Sequence, residues 1–218
     1  MVGMNQRFRP DVTALKEFVG QGKLGEIHYV RTAWQNPKSA RSVQGWRHQR
    51  EVAGGGALME LGIQLLDLAL WLLGYPEPRR IVAHVHTPET GGVEESALLL
   101  LDLKGGGVLS LDVTWSLIAD RERQFLQFVG SRGYAALPPI RLFTETPSGI
   151  TDLSPDLAPG RENPFTASYR QELAHFVEAV RGRQPIDPPT EHTTLMRIVE
   201  AAYRSAASGS EIHFDTAG

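Results

Sequence analysis

One stretch of the chain, residues 54–74, most constrains what the protein can fold into. Three consecutive glycines begin it and one glycine ends it, which is typical of a loose turn, a helix and a C-terminal cap. Leucines recur at helical spacing and other apolar residues cover the flanks: Leu58, Leu61, Leu65, Leu68 and Leu72, then Met59, Ile63, Leu66, Leu70 and Leu73. Because a helix that is apolar nearly all round is buried, the sequence predicts a core helix here.

Three polar residues interrupt this apolar helix. At about 100° per residue, Glu60, Gln64 and Asp67 fall on one narrow stripe together with Trp71. Polar residues at these positions argue against a membrane span. Because burying an unpaired charge is costly, the stripe faces either hydrogen-bonding partners in the core or a wet pocket. Both interpretations stay open, and the glycines favour the pocket because they let the backbone approach a ligand closely.

The composition is that of an ordinary globular protein with a single domain, residues 1–218. Hydrophobic residues make up 41% and charged residues 22%, and a formal net charge of −3 gives the chain no overall affinity for nucleic acid. The absence of cysteine excludes disulfides and thiolate chemistry. The first residues have no signal-peptide pattern, so a cytoplasmic location is expected.

The remaining patterns predict an α+β fold. Pro10 and Asp11 begin a helix that Gly20 and Gly22 end, and residues 24–34 indicate a strand. Four further strand-like segments are joined in pairs by glycine-rich turns: 96–103, 108–115, 124–129 and 134–137. Two amphipathic helices close the chain. We expect an open, mostly antiparallel β-sheet with helices packed on one face.

Other stretches carry weaker or simpler patterns. Residues 1–4 are apolar, as if a strand were already under way, whereas proline and glycine break residues 137–164 and predict irregular structure there. Each closing helix has one apolar stripe: Tyr169, Leu173, Phe176, Val177 and Val180 on the first, and Leu195, Ile198, Val199, Ala202 and Tyr203 on the second.

Short motifs along the whole chain carry a resemblance to a known family. They are Asn5-Gln6-Arg7-Phe8, Gly22-Lys23-Leu24-Gly25, Gly54-Gly55-Gly56, Trp71-Leu72-Leu73-Gly74 and Val93-Glu94-Glu95, followed by matching segments in both closing helices. In this order they resemble the second domain of the Gfo/Idh/MocA oxidoreductases, which include glucose–fructose oxidoreductase and inositol dehydrogenase. The resemblance implies the fold of that domain.

The same resemblance implies a further domain that this sequence does not contain. In the family, an N-terminal Rossmann domain binds NAD or NADP, and a Glu-Lys-Pro motif places its lysine at the hydride-transfer site. No Gly-x-Gly-x-x-Gly turn follows a strand here, and Glu-Lys-Pro does not occur. Residues 1–5 resemble the end of the last Rossmann strand. We therefore expect no cofactor site in this chain, with NAD or NADP implied only if a Rossmann domain is supplied.

The resemblance also assigns two positions on the central helix. The family usually has an aspartate there and, four residues on, a histidine, which act with the lysine in acid–base chemistry on the substrate hydroxyl. The matching positions are Glu60 and Gln64. Glutamine neither takes nor gives a proton at neutral pH, so catalysis at this pair is impaired. Both residues are still expected to line the substrate pocket.

Five further residues are predicted to contact the substrate: Trp46, Arg47, His48, Gly55 and Gly56. Trp46 either stacks on a sugar ring or anchors its loop, and His48 either replaces the missing base or lies at the surface. No metal is expected, because His84 and His86 share one strand face without an evident third ligand.

Two functions remain open from the sequence. The first is the substrate-binding and oligomerisation domain of a sugar- or polyol-type NAD(P)-dependent oxidoreductase, with the nucleotide site supplied by another segment. The second is a stand-alone, non-catalytic module that binds a small polyol or serves in assembly, which Glu60 and Gln64 favour. Either way, the expected partners are a small polyol or sugar and a second copy of the chain joined through the sheet face, without nucleic acid or membrane.

Overall fold

The computed structural model describes residues 1–38, 45–88, 92–157, 163–185 and 190–214. The helices in these ranges are α1 (Pro10–Gly20), α2 (Arg50–Ala53), α3 (Ile63–Leu72), α4 (Pro164–Val180) and α5 (Thr190–Ser208). The strands are β1 (Ile27–Pro37), β2 (Pro78–His86), β3 (Ser96–Leu103), β4 (Val108–Leu117), β5 (Arg123–Gly130), β6 (Gly133–Leu137), β7 (Arg141–Thr146), β8 (Gly149–Asp152) and β9 (Ile212–His213). Short 3-10 turns lie at Asn5–Phe8 and Trp46–His48, and a π-helical turn, Leu58–Gly62, runs directly into α3.

Within the described ranges, the strands form one open nine-stranded sheet in the order β8-β7-β6-β5-β1-β4-β3-β2-β9. Neighbouring strands are antiparallel except for β1 and β4, which are parallel at the centre. A parallel pair needs a long crossover, and here α2, α3 and the β2–β3 hairpin supply it. The prediction of an α+β fold with an open, mostly antiparallel sheet is confirmed.

The two faces of the sheet differ in what covers them. On β4, Leu109, Leu111 and Val113 are fully buried under the helices, whereas Ser110 and Asp112 lie on the opposite face. The central helix packs on β1, and α5 packs on β2. The helices therefore cover one face, as predicted. The opposite face, called the open face below, has no covering element among the described residues.

The central helix lies in the core, as predicted. Leu58, Leu66 and Leu70 are fully buried, and Gly74 ends the helical run with a φ of +80°, the left-handed conformation of a C-terminal cap. Among the described residues, one helical run, Arg50–Leu72, is long and apolar enough by composition to cross a membrane, but 72% of its most apolar window is buried inside the protein. Burial of that kind is the behaviour of a core helix.

Predictions made from the weaker patterns need correction. Residues 1–4 do not form a strand, because they pair with none of the described strands and turn at once into Asn5–Phe8. The segment predicted to be irregular contains β7 and β8, which extend the sheet with alternating burial at Leu142 and Thr144. The first strand runs from Ile27 rather than residue 24, because Gly25 adopts a φ of +71°. Residues 39–44 of the predicted polar loop and residues 158–162 lie outside the described residues.

Candidate functional site

A polar cavity of about 220 Å³ lies where the start of the chain, the central helix and α4 meet. Its lining consists of Gly3, Met4, Asn5, Gln6, Ile63, Gln64, Asp67, Tyr169 and Glu172. Gln64 is the predicted site residue that lines it. Of the polar stripe, Gln64 and Asp67 line this cavity and Glu60 does not, and the assignment of the cavity to substrate stays a prediction.

Gln64 follows the π-helical turn and presents a side-chain amide to the cavity. Its Nε2 donates a hydrogen bond to the backbone carbonyl of Glu60 at 2.9 Å. This bond leaves one N–H and the carbonyl oxygen of the amide for a ligand. π-helical turns are rare and recur at functional sites.

Two buried polar atoms at the cavity lack hydrogen-bond partners in the part of the chain that the structure describes. They are Nε2 of Gln6 and Oε1 of Glu172. Burial raises the pKa of the Glu172 carboxyl, and the Met4 backbone N–H opposes that shift by stabilising the ionised form. Because buried polar groups are normally hydrogen-bonded, these atoms call for a polar occupant such as water or a hydroxylated ligand.

Asp67 is held by internal partners, as the first interpretation of the polar stripe required. Its carboxylate accepts from Arg7 Nε at 2.8 Å and from the Tyr75 hydroxyl at 2.6 Å, and Arg7 also pairs with Glu191 at 3.0 Å. Although burial opposes it, hydrogen bonding to Asp67 raises the pKa of Arg7. Burial and then the Asp67 charge raise the pKa of Tyr75. This network ties the start of the chain to the central helix and α5, and so fixes the walls of the cavity.

Glu60 belongs to a second cluster, which does not line the cavity. Its carboxylate lies 3.3 Å from Nε of Arg47, and both side chains are about half exposed. The Arg47 guanidinium lies over the Trp46 ring at 4.8 Å, and His48 contacts Trp115 edge-on at 5.3 Å. The structure thus places four predicted site residues together at the turn before the central helix, with Gln64 one helical turn away from Glu60.

Gly55 and Gly56 are buried, and their backbone approaches other protein groups closely. A Cβ on Gly56 would overlap the carbonyl oxygen of Glu94, and a Cβ on Gly55 would overlap the Tyr203 hydroxyl. The Glu94 Oε1 accepts from the backbone N–H groups of Gly56 at 2.9 Å and Leu58 at 3.0 Å, and from the Tyr203 hydroxyl at 2.8 Å. Burial and the Glu94 charge raise the pKa of Tyr203. An internal carboxylate therefore caps the start of the central helix.

Because Glu94 caps this helix, the start of the helix is a poor site for a nicotinamide dinucleotide. A pyrophosphate binds at a helix N-terminus whose backbone N–H groups are available. At the central helix, Glu94 already accepts from those groups, and its negative charge repels phosphate. The spacing Gly-x-Gly-x-x-Gly does occur at residues 20–25, but it leads from α1 into β1, whereas the dinucleotide fingerprint leads from a strand into a helix. Neither of these two places has the geometry of a dinucleotide-binding turn.

Two more polar atoms are buried at the end of β1. Trp34 Nε1 and Asn36 Oδ1 have no hydrogen-bond partner within the described ranges, and because they are two residues apart they share one face of the strand. The Trp34 ring lies 6.5 Å from that of Phe165 at the start of α4. Arg9 lies over Phe165 at 5.4 Å and donates to Gln6 at 3.3 Å. These contacts connect the end of β1 to the residues of the cavity.

Sequence reasoning missed four of the six polar residues that line the cavity: Asn5, Gln6, Tyr169 and Glu172. Asn5 and Gln6 belong to a four-residue motif, and such a motif does not reveal which of its side chains points into the protein. Glu172 carried a usable signal, because a helical wheel of α4 places this carboxyl on the same side as the small residues Ser168 and Ala179. A carboxyl among small residues on one helix face indicates a polar site.

His84 and His86 lie on the open face of β2, where the alternation of the strand predicts them, and both are exposed. Among the described residues, no group of three or more His, Asp or Glu side chains could hold a metal ion. Both histidines lie on the side of the sheet opposite the helices that bound the cavity.

Comparison with known proteins identifies the family. Residues 16–214 match the sequence model of an oxidoreductase family's C-terminal alpha/beta domain, that of the Gfo/Idh/MocA proteins. The chain belongs to the Gfo/Idh/MocA oxidoreductase family. Among curated relatives, D-glucoside 3-dehydrogenase of Escherichia coli K12 is 28% identical across a match that covers 95% of this chain and 62% of that protein.

Solved structures of similar proteins agree in fold. GenD2 from gentamicin A biosynthesis, in complex with NAD, has a TM-score of 0.79 at 25% identity, covering 98% of this chain and 63% of GenD2. Levoglucosan dehydrogenase with NADH and levoglucosan has a TM-score of 0.81 at 21% identity, covering 98% of this chain and 66% of that one. The chain therefore spans less than two thirds of the length of these relatives, and it corresponds to their C-terminal portion.

Proposed function

We propose that this chain is the substrate-binding portion of an oxidoreductase that acts on a sugar or polyol, and that the cavity beside Gln64 binds the substrate's hydroxyl groups. The observation that carries the proposal is the pair of buried polar atoms without partners, Gln6 Nε2 and Glu172 Oε1, at a cavity that Gln64 also lines. The names of the relatives support a hydroxylated substrate, since one acts on D-glucosides and another on levoglucosan.

The cavity's side chains suit hydroxyl groups, which both donate and accept. Gln64 offers one N–H and one carbonyl oxygen, and Gln6 Nε2 offers N–H donors. Glu172 accepts from a hydroxyl when ionised and donates to one when protonated. An apolar ligand would leave these groups buried and unpaired, which costs about 1–3 kcal/mol for each group. The cavity therefore discriminates in favour of a polyhydroxylated molecule.

We also propose that this chain by itself binds no nicotinamide nucleotide. The capped start of the central helix supports this, because Glu94 occupies the donors that a pyrophosphate would need. Titration calorimetry of the chain with NADH and NADPH should show no binding at micromolar concentrations. A micromolar dissociation constant for either nucleotide would contradict the assignment of the nucleotide site to another protein segment.

A second function, a polyol-binding module without catalysis, is favoured by the position that Gln64 occupies. The family's histidine is replaced there by an amide that cannot titrate near pH 7. Glu60 pairs with Arg47 in the second cluster and has no hydrogen-bonded proton relay to the cavity among the described residues. Such a chain would bind its ligand without moving a proton.

Binding by the chain itself tests the substrate assignment. Saturation-transfer NMR with levoglucosan and myo-inositol as probes should show contact with the wild-type chain. Gln64→Leu should weaken binding about tenfold or more, because it removes one donor and one acceptor. Gln49→Leu is the matched control, since Gln49 is an exposed glutamine before α2, and it should change nothing. Absence of contact with both probes, or equal effects of the two variants, would exclude the cavity as the substrate site.

Turnover separates the two candidate functions. The segment of levoglucosan dehydrogenase that precedes its match is fused to residue 1, and NADH formation with levoglucosan is measured. We expect binding with little turnover, and we expect Gln64→His with Glu60→Asp to raise the rate more than either change alone, because such groups act as a unit. A fusion that turns over like its parent would eliminate the non-catalytic module. A double variant without effect would remove Glu60 and Gln64 from the chemistry.

We also propose that two copies of the chain pair through the open face. Strand register places Leu98 beside His84 and Asp112, and Leu100 beside Val82 and Ser110 on this face. Leu98, Leu100 and Val82 are 54%, 50% and 45% exposed. Contiguous exposed apolar side chains usually mark an interface. Polar side chains lie between these apolar ones on the open face, and such a mixed composition is usual for interfaces that are not permanent.

A further inference from the structure

One carboxylate at the cavity has no counter-charge. Glu172 is 8% exposed, and its Oε1 has no hydrogen-bond partner within the described ranges. A second carboxylate, Asp67, also lines the cavity, but hydrogen bonds from Arg7 and Tyr75 compensate its charge. None of the described residues that line the cavity is a lysine, an arginine or a histidine. The cavity is therefore negative at Glu172 and has no cation of its own there.

The backbone beside Glu172 leaves its unpartnered oxygen open to the cavity. Gly3 also lines the cavity, and a Cβ at this position would lie 3.3 Å from Oε1, a tight contact. The Met4 backbone N–H favours the ionised carboxyl, whereas burial raises its pKa. The described residues add no cation to these two effects. A positive charge placed in the cavity at Oε1 would therefore stabilise the ionised form.

A hydrogen-bond donor of fixed orientation lies at the same cavity. Arg9 donates to Oε1 of Gln6 at 3.3 Å, so Nε2 is the end of that amide without a partner among the described residues. Gln6 is 3% exposed, and a buried N–H normally has an acceptor. Gln64 keeps one N–H and its carbonyl oxygen for a ligand. The cavity thus offers neutral groups for hydroxyls in addition to the charge of Glu172.

We propose that the ligand of this cavity is an amino-substituted polyol, whose ammonium group binds Oε1 of Glu172 and whose hydroxyl groups bind Gln6 and Gln64. The inference rests on the proposed function, because it narrows the class of hydroxylated ligand that the same cavity takes. A neutral hydroxyl would satisfy the hydrogen bond of Oε1 but would leave its charge buried without a counter-charge. An ammonium group supplies both, and hydrogen bonds between ionised partners are about twice as strong as neutral ones.

The competing explanation is that Glu172 is neutral and meets only water or a hydroxyl. Burial alone raises the pKa of this carboxyl and so favours a protonated acid, which donates to such a partner. In that case the chain binds a neutral polyol and its amino derivative equally well. The two explanations differ in one measurable quantity, the ratio of the two affinities.

The experiment compares two matched pairs of probes by titration calorimetry at pH 7, where both amines are mostly cationic. The pairs are D-glucosamine with D-glucose, and D-glucamine with D-sorbitol, so each amine differs from its parent by one ammonium group in place of one hydroxyl. At least one amine should bind the wild-type chain about tenfold or more tightly than its parent, because only the amine compensates the charge of Glu172. N-acetyl-D-glucosamine, which carries no charge, should bind no more tightly than D-glucose.

Two variants assign that preference to one carboxyl. Glu172→Gln should bring each amine to within about twofold of its parent, while D-glucose and D-sorbitol still bind because the amide oxygen accepts from a hydroxyl. Binding of the parents also shows that the variant is folded. Glu178→Gln is the matched control, since Glu178 lies on the same helix and pairs with Arg181 at 2.9 Å. It removes the same charge from the chain and should keep the preference for amines.

The outcomes separate the ammonium site from the proposed function. Amines that bind the wild-type chain no more tightly than their parents would overturn the ammonium site while the proposed function stands, whether or not either variant folds. A preference that survives Glu172→Gln, or that Glu178→Gln removes, would overturn it too. If neither the amines nor D-glucose, D-sorbitol, levoglucosan and myo-inositol bind, the proposed function and the ammonium site fail together. Amines that bind through Glu172 while no neutral polyol binds would keep the ammonium site and reject the cavity as a site for neutral polyols.

Discussion

At the scale of single residues, the central question is which polar side chains on the core helix serve structure and which face the cavity. Asp67 is 1% exposed and receives hydrogen bonds from Arg7 and Tyr75, so its charge is compensated inside the protein. Gln64, three residues earlier, uses one N–H of its amide and keeps the other N–H and the carbonyl oxygen free. Adjacent turns of one helix thus carry a structural group and a group that lines the cavity.

The Arg7–Asp67 pair yields a stability prediction. Arg7→Ala leaves a buried carboxylate without its cation and should lower the free energy of unfolding by about 3–5 kcal/mol. Urea denaturation monitored by tryptophan fluorescence measures the change. Lys104→Ala is the control, because Lys104 and Glu77 form an exposed pair 2.7 Å apart, and its loss should change stability far less. Equal losses for the two variants would show that Arg7 does not compensate a buried charge.

Glu172 yields a prediction about pH. Burial raises its pKa in the folded chain above the ordinary value of 4.5. Below that value the carboxyl is protonated in both the folded and the unfolded state, so its contribution is fully present; that contribution is lost as pH rises through the raised pKa. Glu172→Gln stays neutral throughout. Its stability relative to wild type should therefore increase from pH 4 to pH 8 in urea titrations.

The control for that pH series is Glu77→Gln. Lys104 lowers the pKa of the exposed Glu77 carboxyl, so the wild-type side chain stabilises the fold above its ordinary pKa and loses that contribution in acid. The two variants should therefore show opposite slopes against pH. A flat profile for Glu172→Gln would mean that Glu172 is solvated in the folded protein, and a slope parallel to that of Glu77→Gln would mean that folding lowers its pKa.

What the sequence predicts at residue scale is position rather than contact. Helical spacing predicts Glu60, Gln64 and Asp67 on one stripe, and in the structure Gln64 and Asp67 line the cavity while Glu60 lies beside Arg47. It did not reveal that Arg7 reaches Asp67 or that Arg47 reaches Glu60, because those partners lie 60 and 13 positions away in the chain. Glu94 shows the same limit, since its bonds to Gly56 and Leu58 depend on how β3 begins beside the helix.

At the scale of elements, close packing explains two of the three glycines before the core helix, Gly55 and Gly56, whereas Gly54 has a φ of +75° and ends α2. Gly56 lies against the backbone carbonyl of Glu94, and its backbone N–H donates to the Glu94 carboxylate at the start of the helix. Gly56→Ala forces these backbones apart and should cost about 3 kcal/mol. Gly20→Ala, at the end of α1 with no atom within 4 Å of the added Cβ, should change stability by about 0.5 kcal/mol or less. If the two variants unfold at the same temperature, close packing at Gly56 does not hold the start of the core helix.

Whole elements were predicted where periodicity and turn chemistry agreed. The hairpin between β3 and β4 was clear because three glycines separate two alternating runs, and the core helix was clear because it is apolar all round. The parallel pairing of β1 with β4 was not predictable from spacing, because it depends on a crossover of 70 residues between Pro37 and Val108. β7 and β8 were missed because Pro138 and Pro139 suggested a break in the sheet.

At the scale of the whole molecule, two apolar surfaces lack a covering element among the described residues: the open face of the sheet, and the α4 stripe, which is the outward side of α4 with Tyr169, Leu173, Phe176, Val177 and Val180. The open face of the sheet presents Leu98 and Leu100, and the α4 stripe lies on the side of the helices. Because the surfaces do not overlap, a pair formed through the sheet leaves both α4 stripes accessible.

This arrangement predicts a dimer that depends on the open face alone. Light scattering at tens of micromolar should give about twice the chain mass of 24.0 kDa. Leu98→Arg places a charge in the middle of the paired sheets and should yield monomers, because an unpaired buried charge costs several kcal/mol. Val52→Arg, at an exposed apolar residue of α2, should leave the mass unchanged. A monomeric wild type would refute the pairing, and a dimer dissociated by Leu173→Glu instead would move the interface to the α4 stripe.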